Sequence, residues 1–213
     1  VDGMIISMSL MASDFDSFKP QPGMGTVLLS MYEHPCCTTV ESDQYGCSWT
    51  VVEYLKNAGH RNIRFVAGPS YSIDSNFRQK GWEDALVHFG LPVVQPLAGN
   101  WLADSGYEIG CKLSADTEMT AIYSANDQMA LGIIAALQDR GIRVPEDVSV
   151  VGVDDSLEGY VPHCNLTTIR FDLLKRGRTA FEHALLGRKP GYTPETVRIP
   201  GRLIVRDTVR NLH

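Results

Sequence analysis

The stretch "TAIYSANDQMALGIIAALQDRGIRVPEDVSVVGVDD", residues 120–155, decides the fold. "TAIYSA" (120–125) is a short apolar run that reads as a strand. Residues 127–140 repeat apolar side chains at helical spacing, and Gly141 supplies the stop. "VSVVGV" (148–153) carries β-branched residues on both faces, as a strand buried inside a parallel sheet does. Strand, helix and strand at this spacing imply an α/β fold with parallel sheets and right-handed crossovers.

The same rhythm runs outward in both directions. "VDGMIIS" (1–7), "TVLLSMY" (26–32) and "NIRFVAG" (62–68) read as strands, and "LPVVQPLAG" (91–99) as a strand and turn. Helices are expected over 44–58, 74–89, 104–113 and 172–186. On the second, Phe77, Gly81, Trp82, Ala85, Leu86 and Phe89 share one face. "TVRI" and "RLIVRDT" close the chain as extended segments, and "GRKPGYTP" (187–194) is the one Gly/Pro-rich connector.

The bulk numbers narrow the function classes. A chain of 213 residues builds one large domain or two small lobes. Its net charge is -6, with no polybasic patch, which makes it by itself a poor nucleic-acid binder. No apolar run has membrane-spanning length, so no membrane partner is expected. Five cysteines at irregular spacing suit reduced thiols in a cytoplasmic protein. His34-Pro35-Cys36-Cys37 lacks a second ligand pair at usable spacing, so no metal is expected. Asn165-Leu166-Thr167 matches a glycosylation sequon, read here as chance. No nucleophile elbow and no phosphate loop are present. "GMG" (23–25) precedes a strand rather than a helix, so no dinucleotide or other cofactor is called for.

In open parallel sheets, ligands bind beyond the carboxyl ends of the strands. Strand 62–67 leads to Ser70, Ser72, Asp74 and Arg78. Strand 120–125 leads to Asn126, Asp127 and Gln128, and strand 148–153 to Asp154, Asp155 and Ser156. These clusters share one rim, and Trp101 follows a fourth strand. A guanidinium fork, an amide, a carboxylate and a flat indole suit a polyhydroxylated ligand. Each residue also has a plainer reading. Asn126, Asp127, Asp154 and Asp155 are all ordinary helix-capping types, and Trp101 could be core. Arg78 is harder to explain locally, because a cation near a helix N-terminus opposes the dipole. The expectation is that Asp127 caps or precedes the helix while Asn126 faces the ligand.

Taken together, "SANDQMALGIIAALQDRGIRVPEDVSVVGVDD" (124–155), "AGHRNIRFVAGP" (58–69), "NFRQKGW" (76–82), "NWLADSGYE" (100–108), "LTTIRFD" (166–172) and "RLIVRDT" (202–208) resemble the effector-binding core of the LacI/GalR transcriptional regulators. The motifs stand in that family's order over nearly the whole chain. The resemblance implies a two-lobed, periplasmic-binding-protein-like (type I) α/β fold with parallel sheets and an incomplete amino lobe. The amino-terminal lobe would comprise 1–41 and 170–199, and the carboxy-terminal lobe 42–169 and 200–210. Matched motif to motif, Arg78, Asn126, Asp154 and the stacking aromatic Trp101 would contact the effector. Ser72 and Asp74 would lie on the loop lining the cleft. Ser7, Ser30 and Phe171 would face the ligand where lactose-type members have polar residues, and Leu173 replaces an aromatic one. The ligand wall of the amino lobe is therefore not the lactose type.

The resemblance further implies a small-molecule effector, a sugar, and a homodimer. Operator DNA would be read through a headpiece that this chain lacks. About two β–α units ahead of "VDGMIIS" are also missing, which would leave the amino lobe two short strands, a helix and a return strand with an exposed edge. On this reading the chain is a truncated regulator and not an enzyme. A solute-binding protein of a sugar transporter shares the fold. A glycosidase using Asp154 or Asp155 is the enzymatic rival.

Overall fold

The computed structural model describes residues 2–8, 10–11, 13–161 and 164–213. Val1, Ser9, Ala12, Pro162 and His163 lie outside the described residues. Val1 belongs to the strand expected over 1–7, and the other four to the expected lobes. The chain divides into two compact units, Val1–Asp43 with Tyr71–Asp74 and Phe171–Gly201, and Gln44–Ser70 with Ser75–Arg170 and Arg202–His213.

The first unit is built on a parallel sheet of β1 (Gly3–Ser7), β2 (Gly25–Leu29), β3 (Thr38–Ser42) and β9 (Thr196–Ile199), in that spatial order. Helix α5 (Leu173–Leu186) lies on one face and buries Ala180 and Ala184 against Val27, Val40 and Ile199. It packs close because β2 opens on Gly25, where a Cβ would stand 1.8 Å from the Ala184 carbonyl oxygen. On the opposite face, Phe15, in a short 3-10 turn (Phe15–Ser17), packs with Leu28 and Cys37. The polar strand β3 was not legible in the sequence. "TTVES" alternates no apolar pattern, yet all five residues are buried, so the first unit holds one strand more than expected. Glu41 within it is neutralised by Arg176 of α5, and it also accepts from the Ser42 amide (2.7 Å).

The second unit is an α/β sandwich. Its elements are α1 (Gln44–Asn57), β4 (Ile63–Ala67), α2 (Ile73–His88), β5 (Leu97–Ala98), α3 (Ala103–Leu113), β6 (Ala121–Ser124), α4 (Asp127–Gln138), β7 (Ser149–Val153), β8 (Thr167–Arg170) and β10 (Arg202–Ile204). Helix α2 begins two residues earlier, in the first unit. The sheet runs β10-β8-β7-β6-β4-β5. All its pairs are parallel except β10 with β8, the one exception to the expected parallel order. Residues 91–99 hold only the two-residue β5, because a run interrupted by Pro92 and Pro96 cannot donate along a ladder. Strand β8 also emerges where the sequence shows only "TTIR". Thr167 is fully buried and its amide donates to Thr208 Oγ1 (2.9 Å), so the Asn165 sequon lies against a packed strand.

Packing follows the sequence pattern at the centre. Phe65 stacks on Trp82 at 5.4 Å and meets Tyr123 at 4.9 Å, joining β4, α2 and β6. The buried Tyr123 hydroxyl is satisfied by Ser48 Oγ on α1 (2.7 Å). Gly90 and Gly141 take the left-handed conformation just past α2 and α4, which lets each helix stop. Among the described residues no helix is long and apolar enough to cross a membrane.

Candidate functional site

Helix α2 carries Arg78 in its second turn, and the residue is 4% exposed. Burial of a cation near a helix N-terminus needs compensation. Three elements supply it. Arg78 Nε donates to Gln44 Oε1 at the start of α1 (2.8 Å), Nη1 to the Ala125 carbonyl after β6, and Nη2 to Asp154 Oδ1 after β7 (3.2 Å). The Asp154 side chain is 37% exposed, so the pair ends at the surface.

Trp101 stands beside this pair. Its ring centroid is 5.8 Å from the Arg78 guanidinium carbon, within cation–π range. The indole lies across Gly68, just beyond β4, where a Cβ would fall 2.3 Å from Trp101 Cη2. Trp101 has φ 75°, a conformation that costs a bulky residue free energy and needs a compensating hold. Asn126 provides part of it, donating from Nδ2 to the Trp101 carbonyl (2.9 Å).

The junction of β6 and α4 reverses one expectation. Asn126, not Asp127, is the N-cap of α4, because its backbone is extended and its Oδ1 accepts from the Met129 amide (3.0 Å). Its Nδ2 donates also to Gln128 Oε1 (2.8 Å). Asp127, 1% exposed, turns inward instead. It accepts from the Ser156 amide at 2.8 Å and from Thr168 Oγ1 at 2.6 Å. Burial is the main cause that pushes its carboxyl up to about 7, helped by Asp154 and Asp155, while the bonds from Thr168 and Ser156 oppose it.

Asp154 and Asp155 form a left-handed turn, with φ 104° and 52°. They are not helix caps. The Asp155 carboxylate, 2% exposed, accepts from Arg206 Nη1 (2.9 Å) and Arg170 Nε (2.5 Å). The two arginines hold its carboxyl below the usual carboxylate range, against the desolvation that raises it. The clamp fixes the turn and leaves Asp154 at the rim. The described non-glycine residues at positive φ are Trp101, Asp154 and Asp155, and all three gather here.

The structure therefore brings Arg78, Trp101, Asn126 and Asp154 together in the second unit. The other expected residues lie in the first unit. Ser7 ends β1 and is exposed. Ser30 follows β2, 1% exposed, and its Oγ accepts from the Tyr32 amide (3.1 Å). Ser72 precedes α2 and Asp74 sits in its first turn; Ser72 is 6% exposed. Phe171 follows β8 and is 9% exposed. Gln44 and Gly68 support the site and were not singled out for it, and Asp127 supports it although it was read as a cap. For Gly68 a signal existed, since a glycine directly after a strand often admits another side chain. For Gln44 there was none.

The cluster offers a guanidinium, an amide, a carboxylate and a flat aromatic face, and no activated nucleophile. Among the described residues no group of three His, Cys, Asp or Glu is placed to hold a metal ion.

A profile of the family described as "Periplasmic binding protein-like domain" matches residues 52–209. The lactose operon repressor of Escherichia coli is 37% identical over 160 residues, 74% of this chain and 44% of the repressor. The chain belongs to the LacI-type periplasmic-binding-protein-like family. Among solved structures, the lac repressor dimer bound to operator and the anti-inducer ONPF superposes with a TM-score of 0.85 at 28% identity, over 99% of this chain and 74% of that one. A LacI family transcriptional regulator from Enterococcus faecium with bound ribose gives 0.81 at 26% identity, over 100% of this chain and 81% of that one. The type I periplasmic-binding-protein-like α/β fold is thus shared over the chain's full length. This LacI-type domain spans less than half of the E. coli repressor's length.

Proposed function

We propose that this LacI-type domain is the effector-binding and dimerisation part of a cytoplasmic, DNA-binding transcriptional repressor, and that its effector is a sugar. Unit 1 is the partial amino-terminal lobe and unit 2 the carboxy-terminal lobe. The observation that carries the reading is the convergence of Arg78, Trp101, Asn126 and Asp154 around a turn held in left-handed conformation. Strain of this kind persists where the surroundings over-determine it, and it concentrates at ligand clamps. Arg78 and Asp154 contact adjacent hydroxyls, and Trp101 stacks on the C–H face of a sugar ring. Asn126 gives both amide hydrogens to protein, so it contributes through the second lone pair of Oδ1 and by holding Trp101. Ser7, Ser30, Ser72, Asp74 and Phe171, all in the first unit, are proposed as further effector contacts.

Binding, not turnover, is the activity. The effector shifts a two-state equilibrium whose other ligand is operator DNA, bound through a headpiece outside this chain, and the coupling is reciprocal. The named relatives support this, one being a lactose operon repressor and another a regulator holding ribose.

Calorimetric titration of D-ribose, D-galactose, lactose and hypoxanthine against the wild-type chain and Asp154→Ala tests the site. A binding sugar should lose about tenfold or more in the variant, the ~1.5–3 kcal/mol of a hydrogen bond to a charged group. Unchanged affinity in Asp154→Ala removes Asp154 from the site. Consumption of the sugar during the titration would instead indicate an enzyme. A gel shift of the full-length gene product on its own upstream DNA, with and without that sugar, tests regulation.

A further inference from the structure

Asp127 is buried to 1% exposure and turned away from the rim, yet it is tied to the residues that form it. One carboxylate oxygen takes the Ser156 amide, the next residue after the left-handed Asp154-Asp155 pair. The other takes the Thr168 hydroxyl on β8. The carboxyl is packed so tightly that a Cβ at Gly152 of β7 would stand 2.3 Å from its Oδ1. A second strut runs parallel to it: Asn126 Nδ2 reaches Gln128 Oε1, and Gln128 Nε2 reaches Ser156 Oγ at 3.3 Å. The start of α4 is thereby joined to the turn that carries Asp154, with β8 as the fixed base.

We propose that Asp127 is the positioning residue of this site: its carboxyl fastens the 154–156 turn to β8 and so sets where Asp154 stands beside Arg78. The proposal rests on the effector-site reading for its functional meaning, but its geometry is independent of any ligand. It also carries a proton exchange near neutrality. When Asp127 is ionised, Thr168 donates to Oδ1. When Oδ1 binds a proton, the same bond reverses, with the carboxyl donating to Thr168 Oγ1, whose own hydrogen rotates away. Oδ2 keeps the Ser156 amide in both forms. The turn is thus held in either state, while the charge beside Asp154 changes by one. The charged groups around Asp127 are Asp154 and Asp155 on the turn, the former paired with Arg78 of α2, the latter with Arg170 of β8 and Arg206 after β10. Asparagine reproduces the neutral form: its Nδ2 donates to Thr168 and its Oδ1 accepts from Ser156. Alanine removes both bonds.

The test follows the backbone amides of Ser156 and Asp154 by 15N NMR from pH 5 to 9 in the ligand-free chain. In the wild type the Ser156 amide should titrate with a midpoint near 7. Asp127→Asn should abolish the titration and leave both amides near their wild-type low-pH positions. Asp127→Ala should displace both amides at every pH. Should Asp127→Ala fail to fold, Thr168→Val takes its place and must raise the Ser156 midpoint, because the lost hydroxyl favoured the anion. An Asp127→Ala chain whose Asp154 amide is unmoved overturns the positioning role, and a wild-type Ser156 amide that stays flat across the range overturns the proton exchange. With D-ribose or D-galactose as probe at pH 6, Asp127→Ala should weaken binding at least tenfold and Asp127→Asn less than threefold. If neither sugar binds the wild type, the effector reading fails for these probes, and the amide displacement in Asp127→Ala decides the role of Asp127.

Discussion

Gly68 and Asp127 show how single residues set the chemistry here without touching a ligand. Replacing Gly68 by alanine would place a Cβ 2.3 to 2.6 Å from three indole carbons of Trp101. The ring must leave its seat, at a cost of about 1–3 kcal/mol for overpacking. Urea denaturation should register that loss, and a sugar that stacks on Trp101 should bind more weakly. Retained stability and affinity in Gly68→Ala would mean the indole has a second good position. Asp127 makes a prediction about pH. Its carboxyl is raised from 3.8 to about 7, so the folded chain holds a proton that the unfolded chain releases. By linkage its contribution is neutral below pH 3.8, becomes destabilising as pH rises through the interval, and is complete above 7. The wild type should therefore lose on the order of 2 kcal/mol more than Asp127→Asn between pH 5 and 8. Parallel stability curves for the two chains would refute the buried, proton-binding carboxyl. Asn126 shows what a residue type alone leaves open. An asparagine between a strand and a helix was legible as cap or ligand contact, and the cap won because Met129 needs an acceptor.

Among the elements, α3 and α4 depend on close approach. Gly106 faces Met129 across the seam, and Gly132 faces Ala103, with a Cβ at Gly132 only 1.9 Å from the Ala103 carbonyl oxygen. A helical glycine replaced by alanine ordinarily gains about 1 kcal/mol from propensity. At Gly132 the backbone contact outweighs that gain, and Gly132→Ala should lower stability by about 2 kcal/mol or more. Gly177 in α5 has nothing within 4 Å of its would-be Cβ, so Gly177→Ala should raise stability by up to about 1 kcal/mol. Thermal melts of the two variants should move in opposite directions; a shared sign would undo the packing account. Five helices were legible from apolar periodicity and glycine stops, within two residues at each end. Strands β3 and β8 were not. "TTVES" and "TTIR" are polar by composition, and they become strands because neighbours on both sides complete their ladders.

At the scale of the whole molecule, the chain passes between its two units at residues 43–44, 70–71, 74–75, 170–171 and 201–202. A ligand that binds only the folded chain stabilises it by mass action, about 2.7 kcal/mol at a hundred times its Kd. For a protein of this size that corresponds to a rise in Tm of roughly 5–10 °C. Scanning calorimetry with the best-binding sugar should show that rise, and Asp154→Ala should lose it at the same concentration. The apolar side chains Ile5, Phe181 and Leu185 remain 42%, 58% and 48% exposed beside the edge strand β1. An edge strand with apolar neighbours favours association, so light scattering of this 213-residue chain at high concentration should show self-association.

The sequence by itself determined the alternation of strands and helices, the α/β class and the placing of Arg78, Trp101, Asn126 and Asp154 on one rim. Those follow from local periodicity, from glycine stops and from the rule that parallel strands open onto one edge. Only the tertiary structure decided which partners hold each rim residue. Arg78 is held by Gln44 and Ala125 and paired with Asp154, which come from distant parts of the chain. Trp101 and Asp154 hold left-handed backbones because Gly68 and Asn126 secure the one, and Asp155 with its two arginines secures the other. A hydrogen bond between residues far apart in the chain leaves no periodic trace in the sequence, so its partners become known only when the sheet brings them within reach.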